Sequence, residues 1–120
     1  MQPALTQIER VEDFEALLTA SAETPVLLYK HSLTCGTSAC ALDELTDLLN
    51  RTAPEARYAM VTVQQHREIS NAIAARLGVR HETPQALLIR NGRVVWAASH
   101  FRLTAAAIEA AITSHAADAQ

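Results

Sequence analysis

The sequence predicts a single α/β domain: a mixed central sheet with helices on both faces. Three observations lead there. Short apolar runs alternate with segments of helical periodicity, two such runs flank an Asn-Gly pair, and 120 residues with 49% hydrophobic content suffice for one buried core without disulfide staples. Strands joined through a helix run parallel, whereas strands joined by a two-residue turn run antiparallel, so the sheet is mixed, with four to five strands.

Taken in order, Leu5-Thr6-Gln7-Ile8 is a short strand with weak support. Val11, Phe14, Leu17 and Leu18 share one face of a helix that ends before Thr24-Pro25. Pro25-Val26-Leu27-Leu28-Tyr29-Lys30 is an apolar run bounded by a breaker, as a strand buried on both faces requires. After His31-Ser32-Leu33-Thr34, the residues Leu42, Leu45, Leu48 and Leu49 stripe a second helix, which stops near Asn50 and the Pro54 turn. Tyr58 to Val63 reads as the next strand. Ile69, Ile73 and Leu77 mark a third helix, closed by Gly78 at the position where a left-handed residue ends a helix. Thr83-Pro84 then leads into Gln85–Arg90, Asn91-Gly92 and Arg93–Ala98, a hairpin signal because a type I′ turn needs positive φ at both central residues. A last helix runs from about Thr104, its N-cap, to His115, with Ile108 and Ile112 facing inward. No linker or repeat divides residues 1–120, so one domain is expected.

Composition excludes several classes. Ten Lys+Arg against thirteen Asp+Glu give a formal charge of −3, the wrong sign for a general nucleic-acid binder. Nothing approaches the ~20 apolar residues of a membrane span. Met1-Gln2-Pro3-Ala4-Leu5 lacks the charged and apolar stretches of a secretory signal, so the expected compartment is the cytoplasm, where two cysteines are reactive or buried rather than a permanent staple. No spacing of Cys and His makes a closed metal site, and no phosphate loop or nucleophile elbow is present. Trp96 reads as sheet packing and Glu82 as an exposed loop carboxylate.

Chemistry concentrates at Cys35. It follows a strand and a loop and opens a helix, where unpaired N–H groups and the positive end of the helix dipole favour a thiolate. Only the thiolate attacks a disulfide sulfur. Lys30 and His31 would add positive potential, and Thr34 would cap the helix. The bland reading is an inert buried cysteine. Against it stands the conjunction of strand-loop-Cys-helix with a downstream Thr-Pro-strand-Asn-Gly-strand, which resembles the thioredoxin fold, a three-layer arrangement whose cis-proline, here Pro84 after Thr83, sits against the cysteine.

The segments Lys30–Cys35, Ser70–Ala74, Gly78–Gln85 and Val94–His100 are similar to those of the monothiol bacilliredoxin group, over about Pro25 to Leu103. That resemblance implies a single nucleophilic cysteine, Cys35, that removes bacillithiol or a related small thiol from mixed disulfides on client proteins. It also implies no tightly bound cofactor, the small thiol serving as co-substrate, in a monomer or weak dimer. Thr83 would pair through its backbone with the cysteinyl part of the bound thiol. Ser99 and His100 would approach the same end of the sheet. Lys30, His31, Arg80, His81, His100 and Arg102 would gather there and attract the carboxylates of bacillithiol; the plainer reading, solvated charges, also applies to Lys30 and is the favoured one for Arg80 and Arg102, while His31 and His100 read equally as local hydrogen-bond partners. The chain departs from the group at Cys35-Gly36-Thr37-Ser38-Ala39-Cys40, where Cys-Pro-Ile-Ser-Ala-Gly is expected; Gly36 loosens a helix start that Pro would preset.

Cys40 lies five residues after Cys35. In a regular helix their Cα atoms stand roughly 8–9 Å apart on different faces, beyond the ~7 Å a disulfide tolerates. Cys40 is therefore expected to be small and buried beside Leu42 and Leu45, with a resolving role for it kept as an alternative. A thiol-ligated iron–sulfur carrier and a non-catalytic binding module are the remaining rivals.

Overall fold

The computed structural model describes residues 5–34, 36–51 and 54–116. The chain runs β1 (Leu5–Gln7), α1 (Val11–Ala20), β2 (Val26–His31), α2 (Gly36–Arg51), β3 (Arg57–Thr62), α3 (Arg67–Leu77), β4 (Gln85–Arg90), β5 (Arg93–Ser99), a 3-10 turn (His100–Arg102) and α4 (Ala105–Ala116). The five strands lie in the order β1-β3-β2-β4-β5. Helix-linked β1, β3 and β2 pair in parallel, while β2–β4 and β4–β5 are antiparallel. No described helix is long and apolar enough to cross a membrane.

Local chemistry explains the elements. Asp13 in the first turn of α1 accepts the backbone N–H groups of Glu9 and Arg10, both at 3.0 Å, so two orphan donors of the helix start are satisfied. This turn leaves Val11 exposed, and α1 buries Phe14 and Leu17 instead of its whole predicted stripe. Gly78 ends α3 at φ +67°, and Asn91 and Gly92 turn the hairpin at φ +53° and +73°, as a type I′ turn requires. Ser21 holds that turn from the end of α1: its carbonyl accepts Asn91 N–H at 2.8 Å and its hydroxyl accepts Gly92 N–H at 2.9 Å. Thr104 caps α4 by accepting the N–H of Ala107 at 3.1 Å.

Strand β2 is the centre of the molecule, with all six of its residues buried. Leu27 and Tyr29 join the cluster under α2 and α4, with Leu45, Leu48, Ile108 and Ile112. Val26 and Leu28 join the opposite cluster under α1 and α3, with Phe14, Leu17, Ile69 and Ile73. Trp96, level with Leu88 across the hairpin, packs half-buried against the first cluster.

The sheet also buries two cations. Lys30 is 0% exposed, not on a solvated rim, because it alternates with Leu28 on the face that α1 and α3 cover. Its ammonium donates to the Ser70 carbonyl at 3.3 Å and to His81 Nδ1 at 3.1 Å. Burial lowers its pKa to about 8. Arg90, at the other end of the sheet, is 2% exposed, and none of its three guanidinium nitrogens has a hydrogen-bond partner among the described residues. A buried cation without partners costs several kcal/mol that an apolar side chain of similar length would not.

Two outcomes follow from these burials. Arg90→Met should raise stability by about 1–4 kcal/mol, read as a higher urea midpoint at unchanged slope. For Lys30 the folded state binds its proton more weakly than the unfolded chain, whose lysine titrates near 10.5, so the ammonium's cost is fully present below about pH 8 and fades as pH rises towards 10.5. Buried Tyr58, pushed up to about 12, acts oppositely but only above pH 10, where the unfolded phenol begins to ionise. Between pH 8 and 10 the wild type should therefore gain stability relative to Lys30→Met, checked by urea unfolding at both limits; parallel pH curves would contradict it.

Candidate functional site

Polar side chains collect at one end of the sheet, where β2 ends, β4 begins and β5 ends. The β2–β4 and β4–β5 registers pair Lys30 with Gln85 and Gln85 with Ser99, so this edge is fixed by backbone ladders. Cys35, the predicted nucleophile, lies outside the described residues; its neighbours in the chain are Thr34 and Gly36, the first residue of α2.

The loop that carries this position is closed at its base. Ser32 N–H donates to Ser38 Oγ at 3.2 Å, joining the end of β2 to the first turn of α2. Beneath them the Tyr29 hydroxyl donates to the Ser38 carbonyl at 2.9 Å and lies 3.0 Å from His31 Nδ1. Gln64, after β3, braces the outside: its amide donates to Ser32 Oγ at 2.7 Å and Thr34 Oγ1 at 3.3 Å, and its carbonyl oxygen accepts Leu33 N–H at 3.0 Å. Thr34 stands two residues ahead of α2, one position outside the cap predicted for it, and its hydroxyl bonds sideways to Gln64. His31 extends β2 by one residue beyond the predicted strand and is buried, which lowers its pKa. A neutral imidazole at pH 7 adds no positive charge, so the field expected from His31 is not supplied by that residue.

On the opposite face of β2, Lys30 meets His81 and Ser70. An ammonium only donates, so His81 Nδ1 is the acceptor and is unprotonated there. Burial first, then the charges of Lys30 and Arg67, lower the His81 pKa. Arg80 and Arg102 are exposed.

The third part is the Thr83–Pro84 turn, whose peptide bond is cis. Thr83 is half-buried and Pro84 buried. The Pro84 carbonyl accepts His100 N–H at 3.0 Å, and His100 adopts φ +55° in making this corner. Glu82 is not a free loop carboxylate. It accepts from Ser99 Oγ at 3.1 Å and lies 3.6 Å from His100 Nδ1, so it ties the proline turn to the end of β5. The structure thus brings together Lys30, His31, Thr34, Pro84, Ser99 and His100 at one edge, in three separate hydrogen-bonded groups.

Cys40 departs from expectation. It is an exposed free thiol, not a buried one. The buried stripe of α2 is Ser38, Ala41, Leu45, Leu48 and Leu49. Cys40 falls beside that stripe and opens onto a groove of about 180 Å³, facing His100, Phe101 and Leu103 across from Thr37 and Glu44.

Sequence reasoning missed Tyr29, Gln64 and, above all, Ser38. The signal for Ser38 was available: it stands three residues after Cys35, the spacing at which a Cys-x-x-Cys protein places its second thiol. It is fully buried, and both its oxygens are hydrogen-bonded.

Comparison with known proteins agrees with this layout. The family model of the monothiol bacilliredoxin BrxC matches residues 6–108. A solved structure described as a candidate oxidoreductase with a thioredoxin fold is 30% identical, with TM-score 0.77 over 89% of this chain and 92% of that one. Fasciola hepatica thioredoxin is similar at 19% identity, TM-score 0.74, 92% of this chain and 99% of its own, and Chlamydomonas reinhardtii thioredoxin f2 at 22% identity, TM-score 0.70, 93% and 96%. These last two likenesses concern the fold. A thioredoxin-type sheet, a serine three residues after Cys35 in the sequence where a second thiol would stand, and a family match over residues 6–108 place the chain in the monothiol bacilliredoxin family of thiol oxidoreductases.

Proposed function

We propose that the protein removes a small thiol of the bacillithiol type from mixed disulfides on client proteins, in the cytoplasm, using Cys35 as its single nucleophile. The observation that carries this reading is Ser38. A dithiol enzyme resolves its own mixed disulfide with the second cysteine of the motif, and here that position is a buried, doubly hydrogen-bonded serine. Cys40 does not replace it, being exposed on another face of α2.

The reaction then runs in two exchanges. The Cys35 thiolate attacks the small-thiol sulfur of the mixed disulfide; a Cys35–S bond forms and the client thiolate leaves. A second small thiol attacks the adduct, leaving as the oxidised small-thiol disulfide and restoring Cys35. No bound organic cofactor is required, because the reducing equivalents come from the thiol pool.

The surroundings support substrate placement. Thr83, before cis-Pro84, offers its backbone to the cysteinyl part of the substrate, as the family resemblance implies. Exposed Arg80 and Arg102, with His81 and His100, supply a basic rim on a chain of net charge −3 that would orient a thiol bearing carboxylates. Exposed Leu33 and Phe101 give a client apolar contact close by.

The test is release of small thiol from a model protein carrying bacillithiol, glutathione or cysteine in mixed disulfide. The wild type should release bacillithiol fastest, and Cys35→Ser should abolish release. Cys40→Ser should stay within about twofold of wild type, under ~0.5 kcal/mol on the barrier. Loss of release in Cys40→Ser would restore the dithiol reading, and equal rates for all three thiols would remove the bacillithiol assignment.

A further inference from the structure

We propose that Gln64 is a positioning residue of the exchange reaction: its side-chain amide holds Ser32, Leu33 and Thr34, the three residues that lead into Cys35. This rests on Cys35 as the nucleophile of the reaction above and adds the group that steadies its approach.

Strands β2 and β3 stay paired up to the bond from Val63 N–H to the His31 carbonyl at 2.9 Å, and there the two chains part. One leads to α2 and the other to α3. Leu33 and Thr34, just past the split, are exposed, so no packed layer holds them. The primary amide of a glutamine is a peptide group on a tether, and Gln64 spends it as one more rung between the diverging strands. Its oxygen accepts Leu33 N–H at 3.0 Å, and its nitrogen donates to Ser32 Oγ at 2.7 Å and Thr34 Oγ1 at 3.3 Å. Leu33 N–H can only donate, which settles which end of the amide faces it. Both amide hydrogens and one oxygen lone pair thus go to three consecutive residues.

The anchor is itself fixed. The Thr62 carbonyl accepts Gln65 N–H at 3.1 Å and His66 N–H at 3.0 Å, so Gln64 sits in a closed turn between β3 and α3. Ser32 is held from the other side too, its N–H donating to Ser38 Oγ in the first turn of α2 at 3.2 Å. The segment is clamped between α2 and the β3–α3 turn, and Cys35 follows Thr34 directly in the chain. Thiol–disulfide exchange requires the attacking sulfur to meet the S–S bond in one orientation. Freedom in the segment that carries the nucleophile is entropy lost at every attack, and the clamp removes it beforehand.

The test compares the wild type with Gln64→Met, which has similar reach and no hydrogen-bonding group to match, and with Gln64→Glu. The glutamate carboxylate accepts from Leu33 N–H and from both hydroxyls once they turn to donate. Gln64 is exposed and packs no core, so both variants should fold, with the urea midpoint as the check. Amide hydrogen exchange at Leu33 should quicken about tenfold or more in Gln64→Met and stay slow in Gln64→Glu. Equal protection in the wild type and Gln64→Met would overturn the proposal. Single-turnover transfer of small thiol from the model protein mixed disulfides is then followed at about pH 9.5, where a free cysteine is mostly ionised whatever charge stands beside it. The maximal rate should fall about tenfold in Gln64→Met with the half-saturating concentration within about twofold, and Gln64→Glu should return to within about threefold of wild type. A maximal rate unchanged in Gln64→Met, or equally low in Gln64→Glu, would overturn the positioning role. Leu33 exchange is read without any disulfide, so a protein whose Leu33 protection depends on Gln64 but which takes up no small thiol would sink the proposed reaction and leave the clamp standing.

Discussion

Strand β2 has no solvent-facing side, and much of the molecule follows from that constraint. Six consecutive buried side chains must each find a partner in a layer of helices, and the alternation of the strand decides which layer. Leu27, Tyr29 and His31 go under α2, whereas Val26, Leu28 and Lys30 go under α1 and α3. Tyr29, Lys30 and His31, the last three residues of the strand, are polar or titratable and cannot be left unpaired in the interior. Their partners are therefore drawn from the elements around the head of the sheet: Ser38 of α2 for Tyr29, Tyr29 of the same strand for His31, and Ser70 of α3 with His81 of the following loop for Lys30. The polar end of a central strand thus fixes the loop around Cys35 from below, and satisfying buried groups and positioning a reactive residue become one task.

Features written in local chemistry were legible in the sequence, and features set by lateral placement were not. Asn91-Gly92 and Gly78 announce themselves because few residues adopt positive φ, and the structure puts both where expected. The alternation of apolar runs pointed to four strands and four helices with a weakly supported fifth strand at Leu5-Thr6-Gln7-Ile8, which the structure forms over Leu5–Gln7. Cys40 was misplaced because a helix stripe read from Leu42, Leu45, Leu48 and Leu49 leaves its phase uncertain by one residue, and that one residue moves a side chain 100° around the axis. The stripe that packs includes Ser38 and Ala41, small residues carrying little hydrophobic signal. Lys30 and Arg90 were unreadable for a different reason. A charged residue at a strand end looks the same whether solvent or a helix covers it, and only the tertiary packing decides. Glu82 gained its partners from Ser99 and His100, seventeen or more residues away, a pairing set by the β4–β5 register.

The two buried cations fall at opposite ends of the sheet and differ in kind. Lys30 has two acceptors and stands beside the reactive loop, so its cost is attached to a place where electrostatic potential has a use. The Arg90 guanidinium has no hydrogen-bond partner among the described residues and lies at the far end of the sheet, opposite Arg93 near the hairpin turn. A natural chain sits near its stability threshold, and residues that destabilise it persist where selection does not remove them. The comparison separates a burial that fits a functional edge from one with no chemical task visible in its surroundings.

The one-thiol character of the site is built into the scaffold and goes deeper than the absence of a second cysteine. Ser38 closes the loop through two different atoms: its hydroxyl accepts from Ser32 N–H and its carbonyl from Tyr29. A cysteine there would keep the carbonyl contact but exchange the oxygen acceptor for sulfur, a weak acceptor with a longer reach, in a position with no exposed surface. The hydrogen bond that shapes the nucleophile's loop and a resolving thiol compete for the same atom. With that atom given to loop closure, the proposed adduct on Cys35 would be cleared by a second, diffusible thiol. A single structural choice at Ser38 therefore couples the geometry of the loop to the proposed dependence on a diffusible thiol.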